Sequence, residues 1–260
     1  MTKRTPLIAG NWKMNLDHLQ AIALIQKVSW TLSDADHDFT KVEVAVFPPF
    51  TDLRSAQTLI EAEKFQLALG AQDISKHESG AFTGEVSGAM LKKLGVKYVL
   101  IGHSERRQYH SEGDEVVQAK VAAAWKNDLI PVICVGETLE ELESQGQSAV
   151  PVAQTLAALA GHDAIGEFVI AYEPVWAIGT GKVATPSEAE AVAKAIRSTL
   201  EKEFGAEAAQ SRILYGGSVK ANNVAGFLAS GEVDGVLVGG ASLDSDEFSG
   251  IARFQKHIVL

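Results

Sequence analysis

Cysteine is almost absent. Cys134 is the single one in the chain, so no internal disulfide can form, which suits a reducing cytosol. A surplus of positive charge is missing too. Lys and Arg total 23 against 33 Asp and Glu, a formal net charge of −10. That balance speaks against non-specific binding to nucleic acid or to an anionic membrane, both of which need clustered cations. It leaves an anionic small substrate open, because a few local cations in a cleft override the net charge. No run approaches the roughly 20 apolar residues of a membrane-spanning helix. The first apolar stretch follows Lys3 and Arg4 but is broken by Asn11, Lys13 and Asn15, unlike a secretory signal. Asn-X-Ser/Thr acceptors, low-complexity segments and blocks of one charge are likewise missing. With 46% hydrophobic and 22% charged residues, the composition is that of a folded globule. The expectation is a soluble, cytoplasmic protein.

What is present is an alternation of short apolar runs with longer amphipathic ones. The apolar runs are Leu7–Ala9, Val42–Phe47, Gln66–Ala71, Tyr98–Ile101, Pro131–Val135, Val169–Tyr172, Ile213–Tyr215 and Gly235–Val238. Short, β-branched-rich and nearly continuous, they read as parallel strands buried on both faces. Helical spacing lies between most of them. Leu16–Leu32 sets Leu16, Leu19, Ala23, Ile25 and Val28 near one face, and Ser187–Phe204 carries Ala191, Ala195, Ile196 and Leu200. Thr185-Pro186-Ser187 reads as a helix start, with Thr185 as N-cap and Glu188 where the dipole favours an acid. Eight strand–helix units at roughly 30-residue spacing fit an α/β fold, a single (β/α)8 TIM barrel spanning residues 1–260 as one domain. Alternation alone does not separate this barrel from a doubly wound open sheet; strand count and length favour the barrel.

In a barrel, the loops at the carboxyl ends of the strands build the site, so the polar residues just after each run are the ones to inspect. Asn11 and Lys13 follow the first run, His103, Ser104 and Glu105 the fourth, and Glu173 the sixth. Gly216, Gly217 and Ser218 follow the seventh, and Gly239 and Gly240 the eighth. A base, an imidazole, a cation and two glycine pairs would converge on one mouth. Taken alone, Lys13 reads as a solvated surface residue and His103 as structural. Glu173 is harder to explain away, since it follows an apolar run and precedes Pro174. A partly dry carboxylate there would have a raised pKa and could act as a base near neutral pH. The glycine pairs are either tight turns or places where backbone N–H groups reach a phosphate, the latter fitting the last two strands of a barrel. The segment Ile178-Gly179-Thr180-Gly181-Lys182 lies just after Glu173, as a lid would.

Competing motifs fail. Gly179–Ala184 matches a relaxed dinucleotide pattern but does not open a helix. There is no P-loop, because Val183 follows Lys182 and position 176 is Trp. No His or Cys pair has metal-ligand spacing, and no G-x-S-x-G elbow occurs. Cofactors and metals are therefore expected to be none. A Schiff-base aldolase on the same barrel needs a lysine ending an inner strand, whereas the sixth run ends in Glu173 and Lys97 precedes its strand. An inactive phosphate-binding or scaffold protein would be expected to show damage at Asn11, Lys13, His103 or Glu173, and all four are intact.

These segments resemble the triosephosphate isomerase family. Ala9-Gly10-Asn11-Trp12-Lys13-Met14-Asn15 resembles its first-strand motif and Ile101-Gly102-His103-Ser104-Glu105-Arg106-Arg107 its histidine motif. Ala171-Tyr172-Glu173-Pro174-Val175-Trp176 with the following Ala177–Lys182 resembles its base and lid. Tyr215-Gly216-Gly217-Ser218 and Val238-Gly239-Gly240 resemble its phosphate loops. The resemblance implies interconversion of dihydroxyacetone phosphate and glyceraldehyde 3-phosphate, in glycolysis and gluconeogenesis, on a small phosphorylated triose and without a cofactor. It implies Glu173 as base, and His103 as a neutral imidazole whose pKa is lowered by a helix N-terminus. Lys13 would stabilise the enediolate, with Asn11 placing Lys13 and substrate, and backbone N–H groups of Gly179, Ser218, Gly239 and Gly240 would hold the phosphate. Glu105 would either relay protons or anchor Lys13. The lid would keep water from an intermediate prone to lose phosphate. Cys134 would be a buried core residue with no covalent role. The long segment Gln72–Ser87, with Phe82 in a polar setting, reads by itself as a mobile surface loop. The resemblance implies instead that it inserts into a second copy, Thr83 lying near the partner's site, to make a homodimer. The chain departs from common family forms at Asp73, Val183 and Ala221-Asn222-Asn223.

Overall fold

In a computed structural model, residues 4–162, 164–177 and 183–257 are described. Eight parallel strands close on themselves in the order β1 to β8. They are β1 (Leu7–Asn11), β2 (Glu43–Phe47), β3 (Ala68–Ala71), β4 (Tyr98–Ile101), β5 (Ile130–Val135), β6 (Val169–Tyr172), β7 (Arg212–Tyr215) and β8 (Gly235–Val238). Closure is made by β1, which pairs with β2 from Leu7 beside Glu43 and with β8 from Leu7 beside Gly235. The doubly wound alternative is thereby excluded, because an open sheet would leave β1 and β8 apart. All eight apolar runs became strands, displaced at their ends by at most two residues.

The strands carry apolar side chains on both faces for a physical reason. Leu7, Ala9, Ala45, Phe47, Tyr98, Leu100, Val132, Cys134, Val169, Ala171, Leu214 and Leu237 fill the barrel interior. Their alternates, among them Ile8, Val44, Val46, Val99, Ile133, Ile170 and Val236, face the surrounding helices. Cys134 belongs to the interior set, and complete burial pushes its thiol pKa well up, so it packs as a hydrophobe.

The outer ring consists of α1 (His18–Asp34), α2 (Leu53–Glu63), α3 (Gly88–Lys93), α4 (Ser104–His110), α5 (Asp114–Lys126), α6 (Leu139–Gln145), α7 (Ala149–Leu159), α8 (Pro186–Phe204), α9 (Val224–Leu228) and α10 (Ser245–Ala252). The start of α8 follows the sequence reading: Thr185 accepts from the Glu188 N–H and the Glu188 carboxylate accepts back from Thr185. Such a capping box contributes about 1 kcal/mol. The helix faces need correction. α1 starts at His18, capped by Asp17 with Gln20, and buries Ala21, Leu24, Ile25, Val28 and Leu32, while Leu19 and Ala23 point outward. In α8 the buried positions are Ala189, Val192, Ala193, Ile196 and Leu200, with Ala191 exposed and Ala195 half-buried. Alanine is tolerated on either face of a helix, so it misled the phase assignment in both.

The segment 72–87 is an internally organised loop. Ser75 bonds the Glu85 carboxylate, the Ser75 N–H donates to Val86 O at 2.9 Å, and His77 stacks on Phe82 with ring centres 3.7 Å apart. Its base is tied to the ring through Asp73, which pairs with Lys120 at 2.5 Å and Arg106 at 3.0 Å. Phe82 and Thr83 remain exposed at its tip. No helix among the described residues is long and apolar enough to cross a membrane.

Candidate active site

The carboxyl ends of β1, β4, β6, β7 and β8 open into one cavity of about 320 Å³. Asn11, Lys13, His103, Glu173, Ser218, Gly239 and Gly240 all line it. Glu105 does not, but reaches it through Lys13. Gly179 and the rest of the segment 178–182, expected from sequence to act as a lid, lie outside the described residues. Larger hollows of about 640 and 580 Å³ carry none of these residues, the first lying between α1 and α2 and the second at the amino ends of the strands.

Asn11 ends β1 and is buried. Its Oδ1 accepts from the Lys13 N–H at 3.0 Å, so the strand end props the turn that presents the lysine. Lys13 sits at φ +53°, a left-handed conformation that a side chain adopts only when its surroundings impose it. Gln72 supplies the second restraint: its Nε2 donates to Lys13 O and Phe47 O, both at 2.8 Å. The ammonium then meets Glu105 Oε1 at 2.5 Å. Glu105 thus holds the Lys13 ammonium, while its second oxygen, Oε2, lies 3.6 Å from His103 Nδ1.

His103 caps the start of α4. Its Nδ1 accepts from the Glu105 N–H at 3.2 Å, while Nε2 lies 2.9 Å from Glu173 Oε1. Both contacts together require a lone pair on Nδ1 and a proton on Nε2, the tautomer of a neutral imidazole that donates into the cavity. Glu173 follows β6 directly and is buried, its N–H bonded to Val135 O at 2.7 Å. Its second oxygen, Oε2, accepts from the Ser104 N–H at 3.0 Å.

These contacts overturn the expected pKa directions. Burial alone pushes the Glu173 carboxyl up, but His103 and the Ser104 N–H outweigh it and hold it below the ordinary carboxylate value. Burial pulls His103 down, yet Glu173 and then Glu105 draw it above the ordinary imidazole value. The sequence reading took each group alone, whereas the fold sets them against each other.

The two glycine pairs differ in what requires them. A Cβ on Gly216 would stand 2.9 Å from Glu173 Cγ and 3.1 Å from Tyr172 O, and one on Gly217 would strike the Tyr215 ring. That pair is needed for protein packing against β6 and β7, which is the tight-turn side of the two readings left open for it. At Gly240 a Cβ would meet nothing within 4 Å, and at Gly239 only Lys13 Cε at 3.5 Å, so this pair fits the ligand reading. Gly239 precedes a 3-10 turn, Gly240–Leu243, fastened by Ser242, whose hydroxyl donates to Gly239 O at 2.7 Å.

Gln72 and Glu137 went unrecognised in the sequence, and Ser104 is marked there only by its position after the fourth run, with no role. Glu137 Oε1 accepts from Tyr172 OH and from Trp176 Nε1, each at 2.8 Å, and so holds the 3-10 turn Val175–Ala177 that precedes residue 178. Gln72 and Ser104 act on or through backbone groups, which no side-chain pattern reveals. Among the described residues, no group of three or more His, Cys, Asp or Glu side chains is arranged to hold a metal ion.

Comparison with known proteins identifies the family. The triosephosphate isomerase family profile matches residues 6–255. A triosephosphate isomerase of Leifsonia xyli subsp. xyli is 62% identical over 258 residues, covering 99% of this chain and 100% of that protein. Those of Saccharopolyspora erythraea and Streptomyces coelicolor are each 56% identical, covering 95% and 98% of this chain and 95% and 99% of theirs.

Proposed function

Because this chain belongs to the triosephosphate isomerase family, we propose that it interconverts dihydroxyacetone phosphate and glyceraldehyde 3-phosphate through an enediolate, with Glu173 as the base. The observation that carries this reading is the 2.9 Å contact between Glu173 Oε1 and His103 Nε2 inside a cavity that Lys13 also lines. A base, a neutral proton donor and a cation are what proton abstraction beside a carbonyl requires.

The steps follow from those contacts. To reach a substrate carbon, the Glu173 carboxylate turns away from His103 Nε2 and the Ser104 N–H. That movement removes what holds its pKa down and leaves burial, which raises it, so the carboxylate becomes a stronger base on meeting substrate. The same movement frees Nε2–H for the carbonyl oxygen. It also removes the larger of the two influences that draw the His103 pKa up, leaving Glu105, so burial and the Glu105 N–H weigh more heavily towards the neutral ring. Glu173 takes the proton from the carbon beside the carbonyl and returns it to the neighbouring carbon, while His103 carries a proton between the two oxygens. The Lys13 ammonium stabilises the negative charge that develops on oxygen, and Asn11 orients it. The N–H groups of Ser218, Gly239 and Gly240, with Gly179 of the lid, hold the phosphate. The reaction needs no metal or nucleotide and serves triose phosphate metabolism in the cytoplasm.

An assay with glyceraldehyde 3-phosphate, with neither metal nor nucleotide supplied to the enzyme, tests this beside Glu173→Gln. The variant keeps the shape and loses the base, so kcat should fall by at least about 10²–10⁴. A fall under tenfold would reject Glu173 as the base.

We further infer a homodimer through the loop 72–87. The support is a set of exposed apolar side chains in the segments that follow β1 to β4: Met14 at 96% exposure, Phe50, Phe82, Met90 and Tyr109. Thr83→Arg places a charge at the loop tip and should move the sedimentation coefficient towards a monomer. An unchanged dimer would count against this interface.

A further inference from the structure

Two cationic side chains line the cavity among the described residues, Lys13 and Lys220, and their electrostatic situations differ. The Lys13 ammonium is paired with Glu105 at 2.5 Å and has the buried Glu173 in the same cavity. Lys220 is exposed at the rim and makes no ion pair or side-chain hydrogen bond with any described residue. Glu247, whose carboxylate reaches the next residue, is engaged by the Ala221 N–H at 2.7 Å.

The lysine's backbone, by contrast, is fixed. Its N–H donates to Asn223 Oδ1 at 2.8 Å, and its carbonyl accepts from the N–H groups of Asn223 at 3.1 Å and Val224 at 3.0 Å. Asn223 Nδ2 also reaches Ser218 O at 3.4 Å. One asparagine thus fastens the segment 218–223 and sets Lys220 on the rim two residues from Ser218, beside the glycine pair of β8. A chain of net charge −10, with Glu173 in the cavity, presents an unfavourable long-range field to a phosphate monoester dianion. An ammonium with no partner among the described residues, on a pinned backbone at this rim, adds positive charge against that field locally.

We propose that Lys220 is a substrate-binding residue that draws and holds the phosphate end of the substrate at the cavity rim, a proposal that rests on the isomerase reading for the identity of that substrate. The ammonium meets a group that does not change during the reaction. Its attraction is therefore equal for substrate and transition state and shows in KM rather than kcat. Because the side chain is exposed, salt screens it. The same ammonium attracts inorganic phosphate as a competitor.

The test compares wild type with Lys220→Met, Lys220→Glu and Lys220→Arg at ionic strengths of about 0.02 M and about 0.3 M. Lys220→Met should raise KM and the inhibition constant of inorganic phosphate together, roughly three- to tenfold at low salt, with kcat within about twofold. That gap should close at high salt. Lys220→Glu should lose more, and Lys220→Arg should restore most of the affinity. Wild-type KM and phosphate inhibition in Lys220→Met at low salt would overturn the proposal, as would a fall in kcat at constant KM. A folded wild type without isomerase turnover would sink the isomerase reading instead. Calorimetric binding of inorganic phosphate to wild type and Lys220→Met would then decide the role of Lys220 separately.

Discussion

The two ends of the barrel use the same residue types to opposite effect. At the amino ends of the strands, charges answer one another. Glu43 accepts from Lys97 at 2.6 Å, Tyr98 at 2.8 Å and Arg212 at 2.8 Å, and Asp234 accepts from Arg4 at 2.6 Å, Arg197 at 2.7 Å and the Ile213 N–H at 3.0 Å. Each of these two carboxylates has three donors. At the carboxyl ends, Glu173 has one backbone donor and one imidazole, the Lys220 ammonium has no partner among the described residues, and Gly239 and Gly240 keep space open. A carboxylate with every lone pair answered by fixed donors locks strands together and is poor at chemistry. A carboxylate held by a movable imidazole can exchange that partner for a substrate. The cavity at the floor is larger than that at the mouth, so size is not what marks the site. Exchangeable contacts mark it.

The widest separation between the two ends should come from Lys13→Met. The change removes the ammonium while keeping the length of the side chain and adding no new penalty at φ +53°, since methionine is no worse there than lysine. Loss of a cation aimed at developing oxyanion charge costs about 10²–10³ in kcat. The Lys13–Glu105 pair is about a third exposed on either side, so its removal should alter stability by only about 0–1 kcal/mol. Turnover and thermal unfolding, measured on the same sample, check both halves. Near-normal turnover would return Lys13 to the class of solvated surface lysines.

Much of the mouth was legible in sequence because a parallel strand ends abruptly. An apolar run buried on two faces gives way to a polar residue within one or two positions, as Tyr172 gives way to Glu173, and fold class then says which end matters. The floor was not legible. Glu43 and Arg212 are 169 residues apart in the chain, and nothing local to either predicts the other. The pKa directions at Glu173 and His103 escaped for the same reason: each is decided by a partner on another strand. Gln72 and Ser104 escaped because what they offer is an amide side chain to two carbonyls and a backbone N–H to a carboxylate, contacts with no residue-type signature. Helix faces were misread where alanine dominated, while α8's capping box was read correctly, since a cap is local and a face is not.

The smallest effect, and the most diagnostic of the floor, is expected from Glu43→Gln. Turnover should be unchanged, because the residue lies at the opposite end of the barrel from the cavity. The neutral amide leaves Arg212, only 12% exposed, without its carboxylate, and loss of a charged hydrogen-bond partner at a half-buried site costs about 1–3 kcal/mol. For a chain of this size that is roughly 2–8 °C in Tm at neutral pH. The sign of the pH dependence follows from the carboxyl itself. Burial works to raise the Glu43 pKa, and Lys97, Arg212 and Tyr98 together bring it below the ordinary value. A depressed carboxyl contributes stability above its unfolded pKa and loses it as pH falls through the folded one. The Tm difference between wild type and Glu43→Gln should therefore be full near pH 7 and shrink on acidification below about pH 4.5, where wild type alone loses this contribution. Other depressed carboxyls, Glu112 and Glu173 among them, lower both proteins equally and cancel in the difference. A difference that stayed constant down to acid pH would mean that Glu43 acts at the floor through shape and not through charge, and the contrast between the two ends of the barrel would lose its electrostatic basis.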